Sequence, residues 1–401
     1  MIADYKNLMN TLSYTYLIAV IICLFIACES SSNSDDELSY LTEEKLSSRY
    51  SKLLAYPVDS LSFPRSYSWD NDSITKVAPK DWTSGFFPGN LWLLYQLKGD
   101  GVYKEKAIEW TDFIENEKYN DRTHDMGFKI YCSYGNGYET TNRKDYKDII
   151  IESATTLSTR FNGNVGCIRS WDFNSDKWEF PVIIDNMMNL ELLFEATKLS
   201  GDSTYHKLAV SHANTTLENH YREDGSSYHV IVYDTLYGNV RDKITHQGIS
   251  NESAWARGQA WGIYGFTMSY RFTQNPEYLK RAESSAQYFL KHNNLRSDGI
   301  PYWDFNDPAI PNAPRDVSAA TILASALLEL SAITKNDTYA DYSKKVITAL
   351  ISDEYILSAD HTAPFFLDHS TGNWPKTDEV DGPIVYADYY FLESLLRLKG
   401  K

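Results

Sequence analysis

Apolar side chains recur at helical spacing along most of the chain, with polar and charged residues filling the other faces. The pattern predicts helices over Glu43–Leu54, Gly89–Leu97, Tyr103–Glu115, Lys144–Arg160, Asn186–Leu199, Ser203–His220, Ala254–Tyr270, Pro276–Lys291, Ser318–Ile333, Tyr339–Ile351 and Tyr386–Leu398. Between them lie loops rich in Gly, Asn, Asp, Trp and Tyr, such as Tyr134-Gly135-Asn136-Gly137-Tyr138 and Gly372-Asn373-Trp374-Pro375. Helices at near-regular intervals, with no Pro/Gly/Ser linker dividing them, predict an all-α fold in a single domain. The expected architecture is a toroid of helical hairpins whose loop ends build a concave site. A doubly wound α/β sheet is disfavoured, because Val/Ile runs are few and no glycine-rich phosphate loop follows one.

Tyr14–Ala27 breaks the pattern: it is strongly apolar, runs into Cys28 through Phe25-Ile26-Ala27, and gives way at once to Glu29-Ser30-Ser31-Ser32-Asn33-Ser34-Asp35-Asp36. A signal-sized apolar core that meets a small residue and Cys before a polar tether reads as a lipoprotein signal over residues 1–27. Cys28 would be the lipidated N-terminus, residues 28–40 a tether, and residues 41–401 the folded domain. The expected location is a bacterial outer membrane, periplasmic or surface-facing, with the lipid as the sole membrane contact. Lys6 is the only cation before the core and Asp4 precedes it, so a buried N-terminal helix is the competing reading.

Of four cysteines Cys23 would leave with the signal and Cys28 would carry the lipid, so only Cys132 and Cys167 would remain as free thiols. Two make no disulfide framework, although one bridge between them is open, and no Cys/His metal spacing occurs. The formal charge of −16, with no basic block to offset it, argues against nucleic acid as a partner. A small anionic ligand stays compatible, since one local Arg overrules the global field at short range. The 14% aromatic content, with 30 Tyr and 10 Trp, suits a carbohydrate-active protein, although many of these rings will be core.

Two carboxylates stand out by context. Asp185 follows the apolar run Phe180-Pro181-Val182-Ile183-Ile184 and precedes Met188, Leu192, Leu193 and Ala196, which recur at helical spacing. It therefore stands at a helix start, where the plain reading is an N-cap. Trp171 and Trp178 just upstream fit a second reading, a sugar platform beside a desolvated proton donor. Asp125 lies in the non-periodic Thr123-His124-Asp125-Met126-Gly127-Phe128. Paired acids serve sugar-bond chemistry because one can be kept protonated while the other stays charged. Further on, Arg257 and Trp261 are four apart, so a helix puts them on one face. There Arg257 suits a carboxylate or sulfate, or else a structural ion pair.

The strings HDMGF, FPVIIDNMMNLELL, THQG, SAWARGQAWGIYGF, DVSAATILASALLEL and YADYYFLESLLR resemble, in order and along nearly the whole chain, the unsaturated glucuronyl hydrolases of glycoside hydrolase family 88. The resemblance implies an (α/α)6 barrel and no cofactor. It implies as substrate an oligosaccharide left by a polysaccharide lyase, with a C4=C5 double bond in its non-reducing uronate. In that family a carboxylic acid protonates C4, water adds at C5, and the hemiketal collapses to free the aglycone. By motif position Asp185 resembles the general acid and base, and Asp125 the second essential acid. His124, Trp171, His229, Gln247, Arg257 and Trp261 match positions lining the uronate site, with Trp171 and Trp261 as stacking faces. Trp82, Phe86 and Phe87 match an aromatic wall, and a strand-like surface position competes for His229. The loop Asp368–Thr377 is expected at the next sugar subsite, where Ser370, Thr371 and Lys376 would take a sulfate of a glycosaminoglycan or ulvan; a solvated surface charge is the equal alternative for Lys376. The rivals are an unsaturated rhamnogalacturonyl hydrolase and a non-catalytic glycan-binding lipoprotein.

Overall fold

The computed structural model describes Leu38 and residues 41–400, so the expected signal, Cys28 and most of the tether lie outside the described residues. Residues 48–400 form one compact unit, and everything that bears on the site lies in it. There, α1 occupies residues 48–55. It is followed by β1 (Phe63–Ser68), β2 (Ser73–Val77), α2 (Phe86–Lys98), α3 (Gly101–Asp112), a π-helical segment (Gly127–Gly135), α4 (Asn136–Thr141) and α5 (Lys144–Ser158). Next come β3 (Phe161–Asn162), β4 (Cys167–Ile168), β5 (Phe180–Ile183), α6 (Asn186–Ser200), α7 (Ser203–Asn219), β6 (Val230–Tyr233) and β7 (Val240–Ile244). The chain ends with α8 (Ala256–Thr273), α9 (Pro276–Lys291), α10 (Val317–Thr334), α11 (Asp337–Leu350) and α12 (Val385–Leu398).

The helices sort by burial into two layers. α10 buries nearly its whole surface, whereas α9 buries only Tyr278, Ala282, Ser285, Ala286 and Phe289, and α11 only Tyr339, Ser343, Val346, Ile347 and Leu350. Both short sets follow one stripe of a 3.6-residue period, the mark of an outer helix, while all-round burial marks an inner one. α2, the π-helical segment, α6, α8, α10 and α12 pack side by side in that order, and α12 returns to α2. α3, α5, α7, α9 and α11 each back the inner element before them. α1 is tied to the segment leading into α12, where the buried Arg49 donates through Nε to the Phe365 carbonyl at 2.9 Å. The result is the expected (α/α)6 barrel.

Caps fix where these helices begin. Asn275 accepts the Glu277 N–H with Pro276 at the first turn of α9, and Asp316 accepts the Ser318 and Ala319 N–H groups at the start of α10. Two features depart from the periodicity. Residues 127–141, read as loop from their glycines, are helical: Gly127 meets the Asn189 backbone, and Gly137 meets the Tyr146 and Trp92 rings, too closely for a larger residue. The connections also carry three small antiparallel sheets, β1-β2, β3-β4 and β5-β6-β7. Strands this short leave no alternation long enough to read. Cys132 and Cys167 are both buried and free, so the bridge left open by the sequence does not form.

The seam between α2 and the π-helical segment depends on Gly85. A Cβ there would lie 2.3 Å from the carbonyl oxygens of both Phe128 and Lys129, backbone atoms that cannot step aside. Gly85→Ala is expected to lower the unfolding free energy by at least about 1–3 kcal/mol, measured by chemical denaturation. An unchanged midpoint would show that the ring widens freely at this seam.

Candidate active site

A cavity of about 350 Å³ opens at the end of the barrel where the inner helices begin. Trp82, Asp125, Asp185, Arg257 and Tyr386 line it, each within four residues of the N-terminus of an inner element. The positive ends of several helices therefore converge on it, which favours an anionic ligand.

Asp185 is delivered by β5. Phe180, Pro181, Val182 and Ile183 are buried on both faces and pair with Tyr233, Val232, Ile231 and Val230 of β6. The pairing runs one step further, Ile184 N–H donating to the His229 carbonyl at 3.0 Å, and so sets His229 beside Asp185. Asp185 occupies the N-cap position of α6, yet its side chain accepts no hydrogen bond from the helix's first turn. The capping role read from the sequence is thus not played; the carboxyl faces the cavity instead. Its Oδ2 is buried without a hydrogen-bond partner, 3.8 Å from His229 Nε2. Burial is the main cause that pushes the Asp185 carboxyl up to about 7; the Arg257 charge opposes it, Asp125 reinforces it, and the Trp261 side chain opposes it as a hydrogen-bond donor.

His229 Nδ1 accepts the backbone N–H groups of His246 and Gln247 at 3.1 and 3.0 Å, so a neutral ring carries its proton on Nε2, toward Asp185. Burial, reinforced by His246 and Arg257, holds that ring neutral. His229 is buried beside the acid, and the surface reading fails. His124 is also buried, its Nδ1 2.7 Å from the Ser170 carbonyl and its Nε2 3.1 Å from Asp125 Oδ1. Asp125 Oδ2 accepts from Thr123 Oγ1 at 2.8 Å.

Arg257 is 2% exposed and its fork is already engaged. Nη1 reaches Asp316 Oδ2 at 2.9 Å and the Thr371 carbonyl at 2.5 Å, and Nη2 reaches the Gly372 carbonyl at 2.5 Å. Gln247 Nε2 donates to the same Gly372 carbonyl at 3.1 Å. Both residues line the cavity, but their hydrogen bonds hold the 368–382 loop over it. A second clamp is the bidentate pair of Arg65 with Glu379, both bonds 2.7 Å, with Asp81 Oδ2 at 3.1 Å. The loop thereby presents Gly372, Asn373, Lys376 and Asp378 to the cavity.

Of the expected site residues, Thr371, Phe86 and Phe87 are buried and do not line the cavity, and three further expectations need correction. Ser370 is fully buried and bridges Gly382 through its backbone, so it lies off the cavity that Lys376 lines. Trp261 is 1% exposed and acts on Asp185 rather than as a stacking face. Trp178 is buried behind Trp171, edge to face at 5.2 Å, and only Trp171 lines the cavity. Phe128, His246 and Tyr386 line the cavity unannounced, although each falls within a string singled out above. Asn373 lies in the loop already expected at a sugar subsite, whereas Arg65 and Phe173 carried no sequence signal, because ring closure alone brings them there. Burial pushes His246 down to about 4, with the Lys376 and Lys177 charges acting the same way. Among the described residues no group of three or more His, Cys, Asp or Glu is placed to hold a metal ion.

Sugar-bond chemistry asks for two acids of unlike protonation in a polar, aromatic-walled cleft. Proteins that present them at one end of a double ring of helices form the class of (α/α)6 glycoside hydrolases, and this chain is an enzyme of that class. It belongs to Glycosyl Hydrolase Family 88, whose model matches residues 58–353. It is 56% identical over 393 residues to an unsaturated glucuronyl hydrolase of Formosa agariphila, covering 97% of this chain and 98% of the relative. It is 35% identical over 332 residues to an unsaturated glucuronyl hydrolase of Bacillus sp. (strain GL1), covering 80% and 86%. A crystal structure of an unsaturated glucuronyl hydrolase specific for heparin superposes with a TM-score of 0.87 at 44% identity, over 91% of this chain and 98% of that one.

Proposed function

We propose that this chain is an unsaturated glucuronyl hydrolase that acts on lyase-generated oligosaccharides of the glycosaminoglycan or ulvan type and releases the aglycone by hydrating the C4=C5 bond. One observation carries the reading: a carboxyl buried to a pKa of about 7, its Oδ2 unpartnered, faces a cavity built for an anionic sugar. Asp185 gives its proton to C4 and positive charge develops at C5 and the ring oxygen. Water adds at C5 and returns a proton to Asp185, so the acid is regenerated. The C5 hemiketal opens to a ketone, and the hemiacetal left at C1 expels the aglycone. Asp125, in contact with His124, supplies negative charge near the developing cation. Similarity to the heparin-specific enzyme supports the glycosaminoglycan assignment over pectin-derived substrates.

Reaction in heavy-oxygen water is the direct test. Label at C5 of the product is expected; label at the anomeric carbon would sink hydration as the mechanism. A panel of lyase products from glycosaminoglycans, ulvan and pectin separates this reading from the rhamnogalacturonyl one.

A pH profile tests the donor. Asp185 must be protonated to act, so kcat/KM is expected to fall as pH rises through about 7. A donor at the ordinary carboxylate value would be lost by about pH 5. Activity level from pH 7 to 9 would remove Asp185 from this role.

We also propose anchoring to a bacterial outer membrane through lipid on Cys28, supported by the sequence pattern around that residue. Metabolic labelling with a radioactive fatty acid should mark the wild type and not Cys28→Ser.

A further inference from the structure

Beside the catalytic cavity lies a second one of about 420 Å³, lined by Arg122, Thr123, Ser170 and Asp172 together with His124, Asp125, Trp171 and Phe173. The last four residues also line the catalytic cavity, so the two are continuous past Asp125 and Trp171. Phe173 is half-exposed and stacks on Trp171 at 5.0 Å and 12°, which extends the aromatic surface from one cavity into the other.

The charge here runs against that of the molecule. Arg160 grips Asp172 with two bonds, of 3.0 and 3.1 Å, and Arg169 Nε lies 3.5 Å from the same carboxylate. Asp172 also feels the Arg122 charge. Three guanidiniums thus stand around two carboxylates, Asp172 and Asp125, in a chain of formal charge −16. With Asp172 taken by Arg160 and Arg169, the exposed Arg122 guanidinium keeps no hydrogen-bonded or ion-paired partner among the described residues. A free fork on the wall of a cavity, beside an aromatic platform, is suited to an oxyanion on a sugar.

We infer that this side cavity is a further subsite, in which Arg122 binds a sulfate ester carried by the substrate beyond the reacting ring while Phe173 supports the sugar that bears it. The inference rests on the reaction proposed for the adjacent cavity. It is distinct from the 368–382 loop, whose Lys376 faces the catalytic cavity alone. Lyase-generated disaccharides that differ only in sulfation isolate the contribution of the sulfate, because both carry the same uronate carboxylate.

The test compares wild type, Arg122→Met, Arg122→Lys and, as a control for net charge, Lys144→Met on the exposed face of α5. The ratio of kcat/KM for sulfated over unsulfated disaccharide is expected to fall about tenfold or more in Arg122→Met. The loss should lie in KM, with partial recovery in Arg122→Lys and none of it shared by Lys144→Met. The same disaccharides are titrated calorimetrically into Asp185→Asn protein with and without Arg122→Met, a readout that needs no turnover. Loss of the sulfate preference in both assays supports the subsite. An unchanged preference, or an equal loss for unsulfated ligand, overturns it. Failure of the parent reading would show separately, as no loss of substrate absorbance with wild type on either disaccharide.

Discussion

Asp185→Asn is expected to abolish the loss of ultraviolet absorbance that follows consumption of the conjugated C4=C5 carboxylate, lowering kcat by about 10²–10⁴-fold or more, while the protein stays folded. The amide has the shape of the protonated acid but no proton to give to carbon. Folding should not suffer, and the sign can be worked out. The folded-state pKa of Asp185 lies at about 7, above the ordinary carboxylate value, because burial penalises the charged form. The stability tied to the neutral carboxyl is complete below about pH 4 and is lost progressively as pH rises toward 7. An uncharged Asn avoids that loss, so the variant should unfold at the same temperature as wild type or higher at pH 8. Equal absorbance loss in wild type and variant would exclude Asp185 from the mechanism. A variant that is inactive and also melts well below wild type at pH 8 would show the carboxylate to be structural.

Arg257→Met is expected to be the most destabilising single change at the site, by about 3–5 kcal/mol, because it strands a buried charge. Asp316 is fully buried and would lose its guanidinium partner, the Thr371 carbonyl would lose its Arg257 donor, and the Gly372 carbonyl would keep only Gln247. The substitution also removes the positive charge that lowers the Asp185 pKa. Any residual activity should therefore persist to higher pH than in wild type. Two measurements check this: chemical denaturation of Arg257→Met, Asp316→Asn and the double variant, and the alkaline limb of the pH profile. The double variant should recover part of the loss, since it strands no charge. A cost below about 1 kcal/mol for Arg257→Met would place the interaction among weak surface pairs. An alkaline limb that stays in place would separate Arg257 from Asp185 electrostatically.

These two residues show how differently parts of the site were legible. Asp185 stands between an apolar run and a helical period, and both neighbours are local, so its place at the head of α6 could be read directly. Its role could not, since a cap and a proton donor occupy the same position in a linear pattern. Arg257 was legible as a helical residue sharing a face with Trp261, but its engagement with residues 316, 371 and 372 follows from the packing of α8 against α10 and the fold of a distant loop. Ser370 misled for the same reason: a polar residue in a polar loop reads as exposed, and the bridge to Gly382 turns it inward.

The sequence by itself determined most of the helices and their order, because periodicity records which face of each leaves water. It also marked the two acids and, through long matching strings, the family. Tertiary structure alone decided which groups meet. Pairing of β5 with β6 sets His229 against Asp185, and closure of α12 onto α2 completes the ring that gathers Asp125, Asp185, Arg257 and Tyr386 around one cavity. The same closure buries Asp185 and so raises its pKa, a property no linear pattern contains, because desolvation depends on atoms contributed from the whole ring.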